Sequence, residues 1–278
     1  MRSDPRMLAA VALCLGGLSG VALHATREAG LVPTMSAAET MDAASAASAS
    51  AAATLSGEDF SAAAASPAVR TRVDAALGAL QRSVSRQSHP DALRRAFQAY
   101  YNYKAANPGK VRNPYLFFVD YGLDNQTPRG YVFDMDRLRV VEGPFTVAHG
   151  RGSGSGGIPT KFSNRNGSNS TSLGLYLAQE TYAFRGKSGG RAYQSVGLRL
   201  SGLSGAFNSA ARSRGVVVHG APYVTAARAG RSEGCPAMEP ARARRLIPKI
   251  SNGGMVFLFS PRDSNWMTRD PWAARVLG

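Results

Sequence analysis

His219 closes the run Val216-Val217-Val218-His219-Gly220. Sixteen positions on, Cys235 sits in Ser232-Glu233-Gly234-Cys235-Pro236-Ala237. A thiol attacks acyl carbons as the thiolate, and an ordinary pKa of about 8.5 leaves little of that form at neutral pH. A histidine within reach can take the proton and later return it, which is the chemistry of a covalent acyl intermediate. The β-branched run predicts a strand that ends at His219. Gly220 lets the chain turn there, with its carbonyl placed to orient the imidazole instead of a third side chain. Gly234 permits a tight turn in which the N–H groups of Gly234 and Cys235 face a developing oxyanion. Taken singly, a cysteine is most often a small buried hydrophobe and a histidine a surface or core residue. Their order and shared context favour catalysis. Zinc fits poorly, because Cys235, His219 and His149 give three ligands at most, without close spacing. No cofactor is expected.

The only other cysteine, Cys14, lies in an apolar run from Leu8 to Leu23 that follows Arg2 and Arg6. A helix of that length spans about 24 Å, short for a bilayer core of about 30 Å. Residues 1–25 therefore read as a signal peptide, or as an uncleaved anchor, since Leu23 occupies a position where a cleavage site prefers a small residue. Bulky Leu13 argues against a lipid-bearing Cys14. The expected location is periplasmic or otherwise exported, with a tether to the inner membrane through this segment left open. Loss of the segment leaves Cys235 as the sole thiol of an exported chain, which suggests a reactive site or intermolecular pairing.

Residues 36–66 hold 14 Ala and 7 Ser among 31, too few large apolar side chains for a core. Residues 26–66 are thus read as a flexible linker. Residues 67–278 carry 30 basic against 12 acidic residues, a net of +18, whereas residues 1–66 are net acidic by 3. A basic domain suits an anionic partner, although solubility alone also explains the excess. Nucleic acid is not expected, because the arginines are dispersed rather than interleaved with stacking aromatics.

Helical spacing of Val69, Val73, Ala76, Leu77, Leu80 and Val84, and then of Leu93, Phe97, Tyr100 and Tyr101, predicts two helices within residues 67–110. Strand patterns follow at Tyr115–Asp120, Gly130–Asp134, Leu138–Val141, Phe145–Ala148, Leu173–Leu177, Val196–Leu200, Val216–Val218 and Met255–Phe259. Helix-like pieces are expected at Phe207–Arg214 and Pro240–Ile250. The fold class is therefore mainly β with added helices, the β-rich domain running over residues 111–262 and a tail over 263–278. The glycine-dense stretch after Gly150 lacks the Gly-Lys-Ser/Thr ending of a phosphate loop.

The ordered set Val147-Ala148-His149-Gly150, Phe162-Ser163-Asn164, Ser170-Thr171-Ser172-Leu173-Gly174, Leu198-Arg199-Leu200-Ser201-Gly202-Leu203, Asn208, Val218-His219-Gly220-Ala221-Pro222-Tyr223 and Gly230–Ala237 resembles the bacterial L,D-transpeptidase catalytic domain (the YkuD type) over about residues 90–260. The resemblance implies a β-sandwich or barrel-like catalytic domain preceded by helices. It makes Cys235 the nucleophile and His219 its base, with Ser232 shaping the nucleophile turn beside Gly220 and Gly234. The implied substrate is the peptidoglycan stem peptide, cleaved between its third and fourth residues through a thioester. Cys-Pro-Ala fits one variant of the family, in which a bulky aromatic is more usual where Glu233 stands. A carboxylate there opposes thiolate formation unless it points away.

Candidate substrate-binding residues are His149, Asn164, Ser168, Tyr223, Arg231 and Arg199. Each has a plainer reading: a strand-end histidine, an Asx turn, loop packing or a solvated arginine. A monomer is expected. Water as acceptor would make the protein an L,D-carboxypeptidase or crosslink hydrolase, and loss of activity would leave a wall-binding module.

Overall fold

The computed structural model describes residues 66–274. The expected targeting segment and the linker up to residue 65 lie outside the described residues. Among the described residues no helix is long and apolar enough to cross a membrane.

Helix α1 spans Pro67–Leu80. Ser66 caps it by accepting from Val69 N–H, and proline occupies the first turn, where its missing donor costs nothing. Val69, Val73, Ala76 and Leu80 form its buried stripe. That stripe packs on α2, Ala92–Ala106, which in turn packs on strands β1, Tyr115–Asp120, and β10, Met255–Phe259. Between the helices, Ser88 donates from both its N–H and its hydroxyl to the buried Asp120 carboxylate, tying the connection to the end of β1.

Ten strands build the rest. Besides β1 and β10 they are β2 (Gly130–Asp134), β3 (Arg139–Phe145), β4 (His149–Gly150), β5 (Gly174–Ser188), β6 (Arg191–Gly202), β7 (Val217–Gly220), β8 (Arg231–Ser232) and β9 (Ala237–Met238). Eight of them form one mixed sheet in the order β3-β2-β1-β10-β5-β6-β7-β9, and β4 pairs with β8 apart from it. The β1–β10 and β7–β9 pairs are parallel, the other pairs of the large sheet antiparallel. Strands β1 and β10 are buried on both faces, so both read as continuous apolar runs rather than alternating ones. Helix α3, Pro240–Ile250, covers β6 and β7. One apolar cluster joins α1, α2, the central strands, α3 and the C-terminal Trp266 and Trp272.

The mainly β class with preceding helices is thus what the chain adopts. Three local expectations change. The strand expected at 138–141 is longer, β3 running from Arg139 through Pro144 to Phe145, and the strand expected at 145–148 does not form, since Thr146 and Val147 are in no strand and Ala148 makes only an isolated bridge to Ala237; as an edge strand, β3 tolerates a residue without a donor. Strands β5 and β6 are far longer than their apolar cores suggest. Their distal halves form a hairpin that turns at Gly189 and Gly190, both at positive φ, as a two-residue primed turn requires. The helix expected over Phe207–Arg214 does not form. Only single 3-10 turns occur, at Gly205–Phe207 and Ser209–Ala211. Buried Asn208 explains this: its amide accepts from Ser204 N–H at 2.7 Å and donates to Leu175 O at 2.9 Å, holding the segment to the start of β5 instead of coiling it.

Trp266 lies in α4, Ser264–Arg269, fully buried against Phe257 and Phe259, with its indole N–H on the buried Asp270 carboxylate. Trp266→Ala is expected to lower the unfolding free energy by about 3–5 kcal/mol, read from urea denaturation, because it opens a large cavity and removes a donor from a buried acid. A loss under about 1 kcal/mol would show that the C-terminal residues are not part of the cooperative core.

Candidate active site

Parallel pairing of β7 with β9 sets His219 opposite Ala237, and His219 N–H donates to Pro236 O at 3.3 Å. The turn carrying Cys235 therefore lies beside the strand end carrying the imidazole, although sixteen residues separate them. Ser232 closes that turn: its hydroxyl donates to Cys235 O at 2.6 Å and accepts from Gly234 N–H at 3.2 Å. Gly234 has φ +123°, a conformation that L side chains rarely adopt. The expectation that Gly234 N–H faces an oxyanion is corrected here, since Ser232 already takes that donor. Gly220 is constrained by packing: a Cβ there would come within 2.8 Å of the Ala243 side chain on α3.

His219 is buried, and its Nδ1 lies 3.1 Å from Gly220 O. A carbonyl only accepts, so Nδ1 carries the proton and Nε2 keeps its lone pair. Phe184, from the β5–β6 hairpin, stacks on the ring with centroids 4.1 Å apart. Tyr193, opposite on β6, brings its hydroxyl to 3.5 Å from Nδ1. Burial lowers the imidazole pKa to about 4, against a smaller opposing effect of the Gly220 carbonyl. The imidazole is neutral at neutral pH, the form a general base needs.

Cys235 is a free thiol, partly exposed, and its Sγ–H reaches Gly215 O at 3.8 Å. Burial of the sulfur raises the thiol pKa. The Val217 N–H and the Arg214 guanidinium act in the opposite sense, and Glu233 adds a small upward push. Glu233 is largely solvent-exposed and sits 3.6 Å from Arg151.

Thiol and imidazole open into one cleft of ≈ 790 Å³, which Tyr193, Arg214, Tyr223, Arg231 and Glu233 also line. Of the expected binding residues, Tyr223 and Arg231 are brought to this cleft. Arg231 donates to Gly154 O at 3.1 Å, and Tyr223 shares a hydroxyl hydrogen bond with Tyr193. Four others are not placed there as binding groups. His149 is fully buried: its Nδ1 lies 3.0 Å from Arg129 Nη2, and burial together with that cation lowers its pKa to about 3. Arg129 is itself fully buried and donates to the Val147 and Leu123 carbonyls, so the pair braces β4 from beneath. Asn164 pins the 3-10 segment, accepting from Ala210 N–H and donating to Ala206 O, and it borders a separate cleft of ≈ 490 Å³ near Phe162 and Arg269. Ser168 accepts from Arg214 below the loop. Arg199 faces away, paired with Glu180 at 3.2 Å and lying over the Tyr182 ring.

Phe184, Tyr193 and Arg214 were not anticipated as site residues. The Gly189-Gly190 pair was the available signal for the hairpin that delivers the first two. Arg214 was hidden by the helical reading of its segment, although an Arg-Gly step directly before a β-branched run marks a strand entrance.

The family model for the L,D-transpeptidase catalytic domain matches residues 85–259. Similar solved structures include an L,D-transpeptidase from Mycobacterium smegmatis, 16% identical, with a TM-score of 0.33, covering 52% of this chain and 58% of that one. One from Mycobacterium tuberculosis is 16% identical, with a TM-score of 0.34, covering 52% and 57%. One from Enterococcus faecium is 14% identical, with a TM-score of 0.32, covering 53% and 50%. The chain thus spans less than two thirds of the length of each. A search of curated proteins gave no match. With the family model covering well over half of its residues, the chain belongs to the L,D-transpeptidase catalytic domain family.

Proposed function

We propose that the protein is an exported cysteine acyltransferase that acts on peptidoglycan stem peptides. The observation that carries this reading is the neutral, Gly220-anchored imidazole of His219 in the same cleft as the Cys235 thiol. His219 Nε2 takes the thiol proton as sulfur attacks the carbonyl carbon of the third stem residue. Collapse of the tetrahedral adduct breaks the peptide bond, and the imidazolium protonates the departing D-alanine amine. The thioester is then attacked by an amine of a second stem, His219 taking the amine proton. The sulfur leaves as thiolate and is reprotonated. The Cys235 N–H supplies the oxyanion donor, since Gly234 N–H is engaged by Ser232. Arg231 and Tyr223 bind the donor stem, and the excess of cations lining the cleft attracts its carboxylates. The protein works as a monomer. Residues 1–25 direct export or anchor the chain, residues 26–66 give reach toward the wall, residues 67–110 brace the catalytic domain of 111–262, and residues 263–274 pack back on it.

The direct test is mass spectrometry of the full chain after incubation with a carbapenem, beside Cys235→Ala. One adduct is expected on the Cys235 peptide and none in the variant. Muropeptide turnover in Cys235→Ala should fall by on the order of a thousandfold or more. Supplying stem tetrapeptide with and without an amine acceptor separates crosslinking from hydrolysis: tripeptide release alone would make water the acceptor. A folded protein with a free thiol and no adduct would leave only wall binding.

The depressed His219 pKa also sets a pH profile. The base works when neutral, so activity is present above the folded-state pKa and is lost as pH falls through it. The acid limb of the acylation rate is therefore expected near pH 4, below the ordinary histidine range. A limb centred at about 6.5 would show that the imidazole is hydrated and not held as described.

A further inference from the structure

Arg214 is a cation that acts directly on the thiol, and the reaction outlined above does not use it. Its guanidinium is half-buried and has no carboxylate partner among the described residues. It donates instead to four neutral acceptors: Nη1 to Ser163 O at 2.8 Å and Ser172 Oγ at 3.3 Å, Nη2 to Ser170 O at 2.9 Å and Ser168 Oγ at 3.1 Å. All four lie on the loop 163–172 that walls the nucleophile turn. The same Nη2 sits 3.8 Å from the position a Cβ on Gly234 would take, one residue before the thiol.

This donor count decides between two roles. A guanidinium has five N–H groups, and a bidentate grip on a substrate carboxylate needs two of them. With four engaged by the protein, one at most remains, so Arg214 is not a carboxylate clamp. Its charge is nonetheless unneutralised and fixed in place.

We propose that Arg214 is a positioning residue for the Cys235 nucleophile: it locks the loop 163–172 against the nucleophile turn and holds a permanent positive charge there that favours thiolate over thiol. This rests on Cys235 being the nucleophile. The other groups around the sulfur do not hold such a charge in place: the remaining cations of the cleft, Arg151, Arg185, Lys187 and Arg231, are exposed to solvent. His219, on β7, is buried and neutral. Tyr193 and Tyr182, from the hairpin, and Tyr223, after β7, have pKa values raised by burial and stay neutral. So do Tyr121 and Tyr176 below the turn. Glu233 carries the opposite charge, and exposed Arg151 pairs with it.

The test is the pH dependence of Cys235 alkylation by iodoacetamide. In that reaction the thiolate sulfur bonds the methylene carbon and iodide leaves. The full chain is used, with the Cys235 and Cys14 peptides resolved by mass spectrometry, and folding is followed by thermal midpoint. Arg214→Gln and Arg214→Met are expected to move the alkylation midpoint up by about one pH unit, roughly a tenfold slower rate at pH 7.5. Arg214→Lys keeps the charge and loses the planar four-way clamp, so its midpoint should stay near wild type while stem-peptide turnover falls. Unchanged midpoints in the folded neutral variants would overturn the electrostatic role and leave a clamp only. Should the neutral variants fail to fold, Arg214→Lys decides: a retained midpoint supports the proposal and an upward shift overturns it. A wild-type thiol that is reduced yet never alkylated would overturn the nucleophile reading itself, and the proposal with it.

Discussion

The two-residue parallel pairing of β7 and β9 is the constraint on which the site depends. It is short, and sequence-distant pairing of this kind is entropically costly. What makes it hold is burial: β7 and β9 are wholly buried, α3 covers β7, and Gly220 allows the helix to approach so closely. The backbone bond from His219 to Pro236 then fixes the nucleophile turn relative to the imidazole by main chain alone. Ser232 and the positive φ of Gly234 settle the remaining freedom of the turn. No long side chain has to be ordered to bring base and thiol into one cleft, which keeps the entropic cost of the constellation low.

Burial that secures the geometry also determines the electrostatics. His219 lies between a carbonyl anchor and the Phe184 ring, so its charged form is disfavoured. The partly enclosed sulfur likewise resists ionisation. Burial thus works against the charged form of both groups. A thiol held in this state is less prone to oxidation than a standing thiolate would be.

Much of this was legible in the chain. Tyr115–Asp120 and Met255–Phe259 announce themselves as strands because both faces are apolar, and the His-Gly and Ser-x-Gly-Cys contexts point to the family. What escaped was whatever depends on partners far away in sequence. The distal half of the β5–β6 hairpin is polar and half-exposed, so it carries no apolar period to read. Phe207–Arg214 has helix-forming composition that buried Asn208 overrides through bonds to Leu175 and Ser204. Asn164, Arg199 and His149 have the right chemical types for a binding cleft. Their side chains are engaged instead by the 3-10 segment, Glu180 and Arg129, and nothing local in the sequence distinguishes those partners from a ligand.

Glu233 shows why position outweighs residue type at this turn. Alternation along the turn sends its side chain to solvent and beside Arg151, while Arg214 stands half-buried on the thiol side. Two unit charges about 4 Å apart interact by about 1 kcal/mol in bulk water and about 4 kcal/mol at the effective dielectric of a protein site. An exposed carboxylate already paired with a cation is therefore a weaker perturbation of the sulfur than a half-buried guanidinium held in place. The acidic residue is tolerated because the turn directs it outward, and the charge that matters to the nucleophile reaches it from the strand entrance at Arg214, twenty-one residues upstream.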